Sequence, residues 1–342
     1  MRLYRVRRFG GRDGLQMTEE PSPAEPIGRQ VLMRVRASSL NFRDLGDLKG
    51  YLQMIPPGMA DDHIPLSDGA GEVVAVGCGV TRFKPGDKVA ATFHPAWISG
   101  SAPEGLNILG RGCERDNGML TEFSLLDESE LVHLPSHLSF EEGATLPCAG
   151  LTAWHALHGT PAPLLPGEDV LVMGAGGVSV FALQFAKASG ARVIATTTSP
   201  SKMEALRELG ADVVIDASGG AGWHAQVLQA TDGRGVDLTV QVVGGAVWND
   251  TVQATRPGGR IGMVGQLGGF GEGLSPFFVM RGITPYPIRV GSRDAFAQMN
   301  RAISANRLHP VIHQAFEFEA SAEAFRHFEE APRVGKVVIR HG

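Results

Sequence analysis

One ten-residue stretch limits the fold more than any other part of the chain: Val170-Leu171-Val172-Met173-Gly174-Ala175-Gly176-Gly177-Val178-Ser179. A continuous apolar run breaks into a glycine cluster, and an apolar-periodic helix pattern follows at once over residues 178–188. A buried strand that enters a helix through glycines is the context of a dinucleotide-binding turn. Gly174 permits the tight turn, and Gly176 lets the backbone approach a pyrophosphate. The helix opened by Gly177 and Val178 offers free N–H groups and a favourable dipole to phosphate. Ser179 replaces the third glycine of the pattern and is still small enough for close helix–strand packing.

The surroundings agree with that turn. Ser139-Phe140-Glu141-Glu142 fits a capping box and predicts a helix to about Leu146. Short apolar strands are then expected at 169–173, 192–196, 213–215, 236–243, 260–264 and 284–290. Helices are expected at 178–188, 201–209, 223–231 and 249–255. Continuous apolar strands alternating with helices predict a doubly wound parallel sheet covered on both faces. The first third reads differently, with strand patterns at 4–8, 31–37, 72–76, 88–92 and 121–125 separated by turns such as Lys84-Pro85-Gly86-Asp87. That density predicts a compact, barrel-like β-rich domain. After Gly291 mixed elements return and end in a strand at 336–339. The expected organisation is therefore one domain from 1–147 with 292–342, and a nucleotide-binding domain over 148–291.

The strand following the glycine turn ends at Ala195-Thr196-Thr197-Thr198-Ser199, about 20 residues on, where an NAD enzyme carries an acid for the ribose diol. No carboxylate stands there. Thr197, Ser199 and Lys202 supply hydroxyls and an ammonium instead, which suit a 2′-phosphate. NADP(H) is the expected cofactor, with NAD(H) as the alternative. Ser199 also fits an N-cap for a helix beginning at Pro200.

Composition removes several function classes. The chain has 342 residues, 20% of them charged, with a formal net charge of −5, and no basic run or aromatic stripe that would predict a nucleic-acid partner. No segment approaches the ~18 apolar residues of a membrane span, and the basic N-terminus lacks the apolar stretch of a signal peptide. Cys78, Cys113 and Cys148 are odd in number and far apart, which fits a reducing cytoplasm better than a disulfide framework.

Several motifs in linked order resemble the medium-chain dehydrogenase/reductase superfamily over essentially the whole chain. They are Ser67-Asp68-Gly69-Ala70-Gly71-Glu72-Val73-Val74, Phe83-Lys84-Pro85-Gly86-Asp87-Lys88-Val89, Leu146-Pro147-Cys148-Ala149-Gly150-Leu151-Thr152-Ala153-Trp154 and the Gly174–Val178 turn. Asn41-Phe42-Arg43-Asp44 is similar to the quinone oxidoreductase branch. The resemblance implies a GroES-like catalytic domain beside a Rossmann domain, and a homodimer through the last Rossmann strand. Pro285 and Pro287 in that strand weigh against such an edge contact. It also implies where catalytic zinc would sit in zinc-dependent members. Those positions match Asn41, Ser67 and Cys148, and only the cysteine keeps a ligand-type side chain. The expectation is a zinc-independent enzyme with no metal site. His155 with His158, and His309 with His313, lack the further ligands a metal needs.

The same resemblance implies the site residues. Asn41, Ser67 and Arg43 would line the place where charge develops on a carbonyl oxygen, as an oxyanion site. Tyr51 is the candidate proton donor, or else an aromatic wall. Phe42, Thr152, Val243, Gly265 and Gln266 would join Gly174, Gly176, Gly177, Val178, Thr197, Ser199 and Lys202 around the cofactor. Asp44 and Asp68 read as structural remnants paired with Arg43 or backbone. Residues 94–118 form a Gly/Pro/Ser-rich loop in place of a structural zinc lobe. With Trp97, Phe42, Tyr51 and Phe270 it predicts an apolar, aromatic-lined cleft. The expected activity is NADPH-dependent reduction of a quinone or an α,β-unsaturated carbonyl. The alternatives are a zinc-free alcohol dehydrogenase or carbonyl reductase, and a non-catalytic cofactor-binding protein of this fold.

Overall fold

The computed structural model describes residues 1–54, 62–113, 116–265 and 276–342. The chain folds into two compact units. The first comprises Met1–Leu151, Val290–Pro332 and Lys336–Gly342; the second comprises Thr152–Arg289 and Arg333–Gly335. The division differs slightly from the expected boundaries. Residues 148–151 stay with the first unit, and three residues from near the C-terminus join the second.

The first unit begins with an antiparallel pair, β1 (Arg2–Val6) and β2 (Leu15–Glu19). Then come β3 (Gln30–Ser39), β4 (Asp68–Val76), β5 (Lys88–Ala91), β6 (Phe123–Asp127) and β7 (Leu131–His133). Strand β3 is the spine. Alternate residues Val31, Met33, Val35 and Ala37 are wholly buried, as period 2 requires of a strand with one face on a core. Against them pack Val73, Phe83, Val89, Met119 and Leu131.

Among the described residues the second unit holds six strands: β8 (Asp169–Met173), β9 (Arg192–Thr197), β10 (Val213–Asp216), β11 (Val236–Gln241), β12 (Thr255–Met263) and β13 (Thr284–Pro287). They pair in the order β10-β9-β8-β11-β12-β13, and every pairing is parallel. The order reverses beside β8, and ligands of open α/β sheets bind at the carboxyl end of such a switch point. All five residues of β8 are buried, which explains its uninterrupted apolar run. Strand β13 is shorter than expected. Ile288 N–H donates to Met263 O, so by alternation Pro285 and Pro287 turn toward the open edge, where a missing N–H costs no ladder bond.

The chain returns to the first unit with β14 (Ile312–Glu317) and β15 (Lys336–Arg340). Strand β15 lies antiparallel to β3 and completes the order β14-β15-β3-β4-β5-β7, with β6 also on β3. This first unit is GroES-like, and the second is a Rossmann unit. Among the described residues no helix is long and apolar enough to cross a membrane.

Candidate active site

In the first unit the chain leaves β3 at Ser39 and turns into the helix Phe42–Leu48, with Asn41 as its N-cap in extended conformation. Asn41 N–H donates to Asp44 Oδ2 at 2.7 Å, which holds the first turn closed. Strand β4 brings Asp68 opposite Ser39, and β15 brings Lys336 beneath both. The result is a closed polar network in which Asp68 is the common acceptor. Ser39 Oγ and Asn41 Nδ2 each donate to Asp68 Oδ2 at 2.9 Å, and Ser67 Oγ donates to Oδ1 at 3.0 Å. The Lys336 ammonium donates to Leu40 O at 2.7 Å, Asn41 Oδ1 at 2.6 Å and Asp68 Oδ2 at 3.3 Å. Ser67, Asp68 and Lys336 are all buried.

This geometry revises two expectations. Asn41 and Ser67 do not present free donors to an oxyanion. The Asn41 amide points at Asp68 and, at 3.4 Å, at Ser67 Oγ, while the Ser67 hydroxyl is committed to Asp68. Asp68 pairs with Lys336, not with Arg43. The unused donor is Arg43: Nη1 bonds Arg111 O at 2.8 Å and Asp44 Oδ1 at 3.2 Å, whereas the buried Nη2 has no hydrogen-bond partner among the described residues. The guanidinium also lies over the Phe93 ring, 5.6 Å from its centroid. Lys336 escaped sequence reasoning, although a lysine opening the buried run Lys336-Val337-Val338-Ile339 was a visible signal.

Asp44 is fully enclosed, and burial raises its pKa to about 6, against the pull of Arg43 and with Asp68 adding to the rise. The folded pKa lies above the unfolded one, so the native state binds more protons between about pH 4 and 6. Stability is therefore lost as pH rises through that window, by about 3 kcal/mol from this group. Asp44→Asn should gain on the parent progressively in urea melts between pH 4.5 and pH 7.5. An equal difference at both values would refute the assignment.

Cys148 keeps part of its surface exposed, but desolvation, then the Asp68 carboxylate, push its thiol far above the usual range. One thiol beside an amide, a hydroxyl and an ammonium makes a poor zinc cage, because zinc takes about three N, S⁻ or O⁻ donors. The residues present do not fit the ion. Among the described residues no group of three or more His, Cys, Asp and Glu side chains is placed to hold a metal. His155 hydrogen-bonds Arg289 O, His158 meets Ser189 Oγ, and His309 pairs with Glu142.

The expected aromatic cleft is only partly formed. Phe42 and Tyr51 are exposed, at 54% and 58%, whereas Trp97 is buried and donates to Gly100 O inside its own loop. Phe270 lies outside the described residues.

In the second unit Gly174 has φ +78°, a conformation that favours glycine. Gly176 caps the helix Gly177–Ala188 in extended conformation, and a Cβ built on it meets nothing within 4 Å. That open space above helical N–H groups fits a pyrophosphate. Val178 follows in the first turn, and Ser179 earns its place by donating to Met173 O at 2.6 Å. Thr152, buried, opens this unit. Thr197 Oγ1 accepts from Ser199 N–H at 3.1 Å. Ser199 does not cap the following turn; its hydroxyl meets that of Ser201 at 3.1 Å. Lys202 ends that turn, half-buried.

Past β11 the Gln241 side chain accepts from the N–H groups of Val243 and Gly244, at 2.8 and 3.0 Å. Those donors are thus spent on shaping the turn, and a lone amide in the apolar run Val240-Gln241-Val242-Val243 was the overlooked sign. Gly265 N–H returns to Gln241 O at 3.3 Å. Gln266 lies outside the described residues.

Known proteins are similar to this chain in sequence and fold. The alcohol dehydrogenase GroES-like domain family matches residues 28–136, and the zinc-binding dehydrogenase family matches residues 177–305. A zinc-type alcohol dehydrogenase-like protein of Schizosaccharomyces pombe is 35% identical over 97% of this chain and 96% of its own length. A quinone oxidoreductase of Pseudomonas aeruginosa is 38% identical over 66% of this chain and 61% of its own. The crystal structure of an NAD-dependent alcohol dehydrogenase superposes with a TM-score of 0.88 at 34% identity, covering both chains fully. The chain belongs to the medium-chain dehydrogenase/reductase superfamily and is an NAD(P)-dependent oxidoreductase.

Proposed function

We propose that this protein is an NADPH-dependent reductase that works without catalytic zinc and reduces a quinone or an α,β-unsaturated carbonyl. The observation that carries the reading is the Lys336 ammonium, held 2.6 Å from Asn41 Oδ1 at the position that matches a zinc ligand in metal-dependent relatives. A built-in cation there compensates Asp68 and leaves no charge deficit for a metal to fill. Bound NADPH supplies the hydride from its nicotinamide. The chain's own part is to bind the nucleotide at Gly174–Val178, with Thr197, Ser199 and Lys202 toward the ribose. Arg43 offers Nη2 to developing oxygen charge in a desolvated place. Asn41, Ser67 and Asp68 act as positioning residues for the turn that carries Arg43.

Phe42 and Tyr51 supply exposed aromatic surface suited to an apolar acceptor. A quinone or enone needs less help with oxygen charge than a simple ketone, which matches one guanidinium donor. Three free cysteines fit a reducing cytoplasm. The homodimer implied by resemblance has to form otherwise than by strand addition at β13, whose open edge carries two prolines.

The test is turnover by protein dialysed against EDTA. Oxidation of NADPH with quinones or enones, unchanged by added zinc, is the expected result. Turnover of alcohols with NADP⁺ alone would favour the dehydrogenase reading, and zinc-restored activity would end the metal-free one.

A further inference from the structure

We infer that Arg333, contributed from near the far end of the chain, forms part of the 2′-phosphate site and sets the preference for NADPH. The inference rests on the NADPH reading above and adds a residue that no local motif contains.

Residues Arg333–Gly335 belong to the second unit, although the residues on either side of them belong to the first. The reason is a backbone contact. Gly335 N–H donates to Ala175 O at 2.9 Å, and Gly335 bridges Gly176 in parallel. The segment therefore lies along the dinucleotide turn itself. That turn is also tied to the end of β9, because Gly174 N–H donates to Thr196 O at 2.7 Å. Thr197, Ser199 and Lys202 follow from there. Two segments distant in sequence thus meet at one glycine turn, and each brings a half-buried cation.

The two cations sense each other. Burial lowers the proton affinity of Lys202, and the Arg333 charge lowers it further. Like charges gathered at half-buried positions repel, and a phosphate monoester between them turns that repulsion into two attractions. The guanidinium fork matches a phosphate in two-pronged fashion, while the ammonium acts as a point charge. The nearest acid in the sheet register, Asp216 opposite Thr197, is exposed and accepts Ser218 N–H at 2.8 Å. It is turned to its own loop. A ribose diol has no use for a paired guanidinium and ammonium; a 2′-phosphate does.

The test is calorimetric binding of NADPH, NADH, adenosine 2′,5′-bisphosphate and AMP to wild type, Arg333→Ala and Arg333→Lys. Melting curves without nucleotide check that each variant folds, and the lysine variant keeps the test open if the alanine one does not. The expected result is a loss of about 10-fold or more for NADPH and the bisphosphate in Arg333→Ala. NADH and AMP should change by less than about 2-fold, and lysine should recover part of the loss. Equal losses for NADPH and NADH would place Arg333 on the pyrophosphate and overturn the inference. A wild type that prefers NADPH, with a variant that keeps the preference, would overturn it alone. A wild type with equal affinities would remove the cofactor reading together with it.

Discussion

Lys336→Met is expected to lower stability by about 3–5 kcal/mol, the largest loss from any single exchange in the polar network. The ammonium is buried with Asp68, and its three donors are directed to Leu40 O, Asn41 Oδ1 and Asp68. Methionine fills similar volume without charge, so the damage comes from electrostatics and not from a cavity. It strands the Asp68 carboxylate with only the neutral donors Ser39, Asn41 and Ser67 around it, and it leaves two buried carbonyl oxygens short of a partner. The double variant Lys336→Met, Asp68→Asn separates the two contributions. Removing both charges of a buried pair costs far less than removing one, so the second exchange should restore most of the lost stability. Denaturant melts of the four proteins in the cycle give the coupling directly. If the single and double variants lose the same amount, the ammonium is not compensating Asp68. Activity should not return with stability, because Asn41 still lacks the donor that holds its amide oxygen, and with it the turn carrying Arg43.

The features of the fold that were legible in the sequence are those with a local cause. The run Asp169–Met173 and the Gly174–Ser179 turn announce themselves through burial and backbone freedom within ten residues, and the Ser139 box closes on Glu142 as expected. Strand β2 was missed because Leu15-Gln16-Met17-Thr18-Glu19 offers only two apolar positions, too short an alternation to stand out, and only Leu15 is buried. The π-helical turn Leu146–Gly150 was missed because proline and glycine read as a break, whereas tertiary packing holds the turn wound. The site was legible in residue types and not in directions. Asn41 and Ser67 have donors, but only the structure shows Asp68 taking them. Contacts between segments far apart in sequence, such as Lys336 to Asn41 and Gly335 to Ala175, leave no periodic trace, since tertiary packing and not spacing brings them together.

Gly176→Val should abolish nucleotide binding, by at least about 100-fold, while leaving the fold nearly untouched. Both halves follow from one position. Gly176 sits at φ −75° and ψ 178°, ordinary extended backbone that valine adopts without strain. A Cβ there meets no atom of the described residues within 4 Å, so the branch point itself displaces no neighbour. The glycine side chain makes no cap, and a branched residue at an N-cap costs at most about 1 kcal/mol. The melting temperature should therefore fall by only a few degrees. What valine does occupy is the space above the first N–H groups of the helix Gly177–Ala188, where a pyrophosphate must approach the backbone to use them. Branched methyls hold it off by more than the reach of a hydrogen bond, and loss of two or three charge-assisted bonds is worth several kcal/mol. Gly174→Val is the contrast. Its φ of +78° strains any branched side chain, so that variant should lose stability and binding together. Fluorescence titration with NADPH beside thermal melts tells the two apart. A Gly176→Val protein that binds NADPH with wild-type affinity would move the nucleotide away from this turn, and the roles of Thr197, Ser199, Lys202 and Arg333 would go with it.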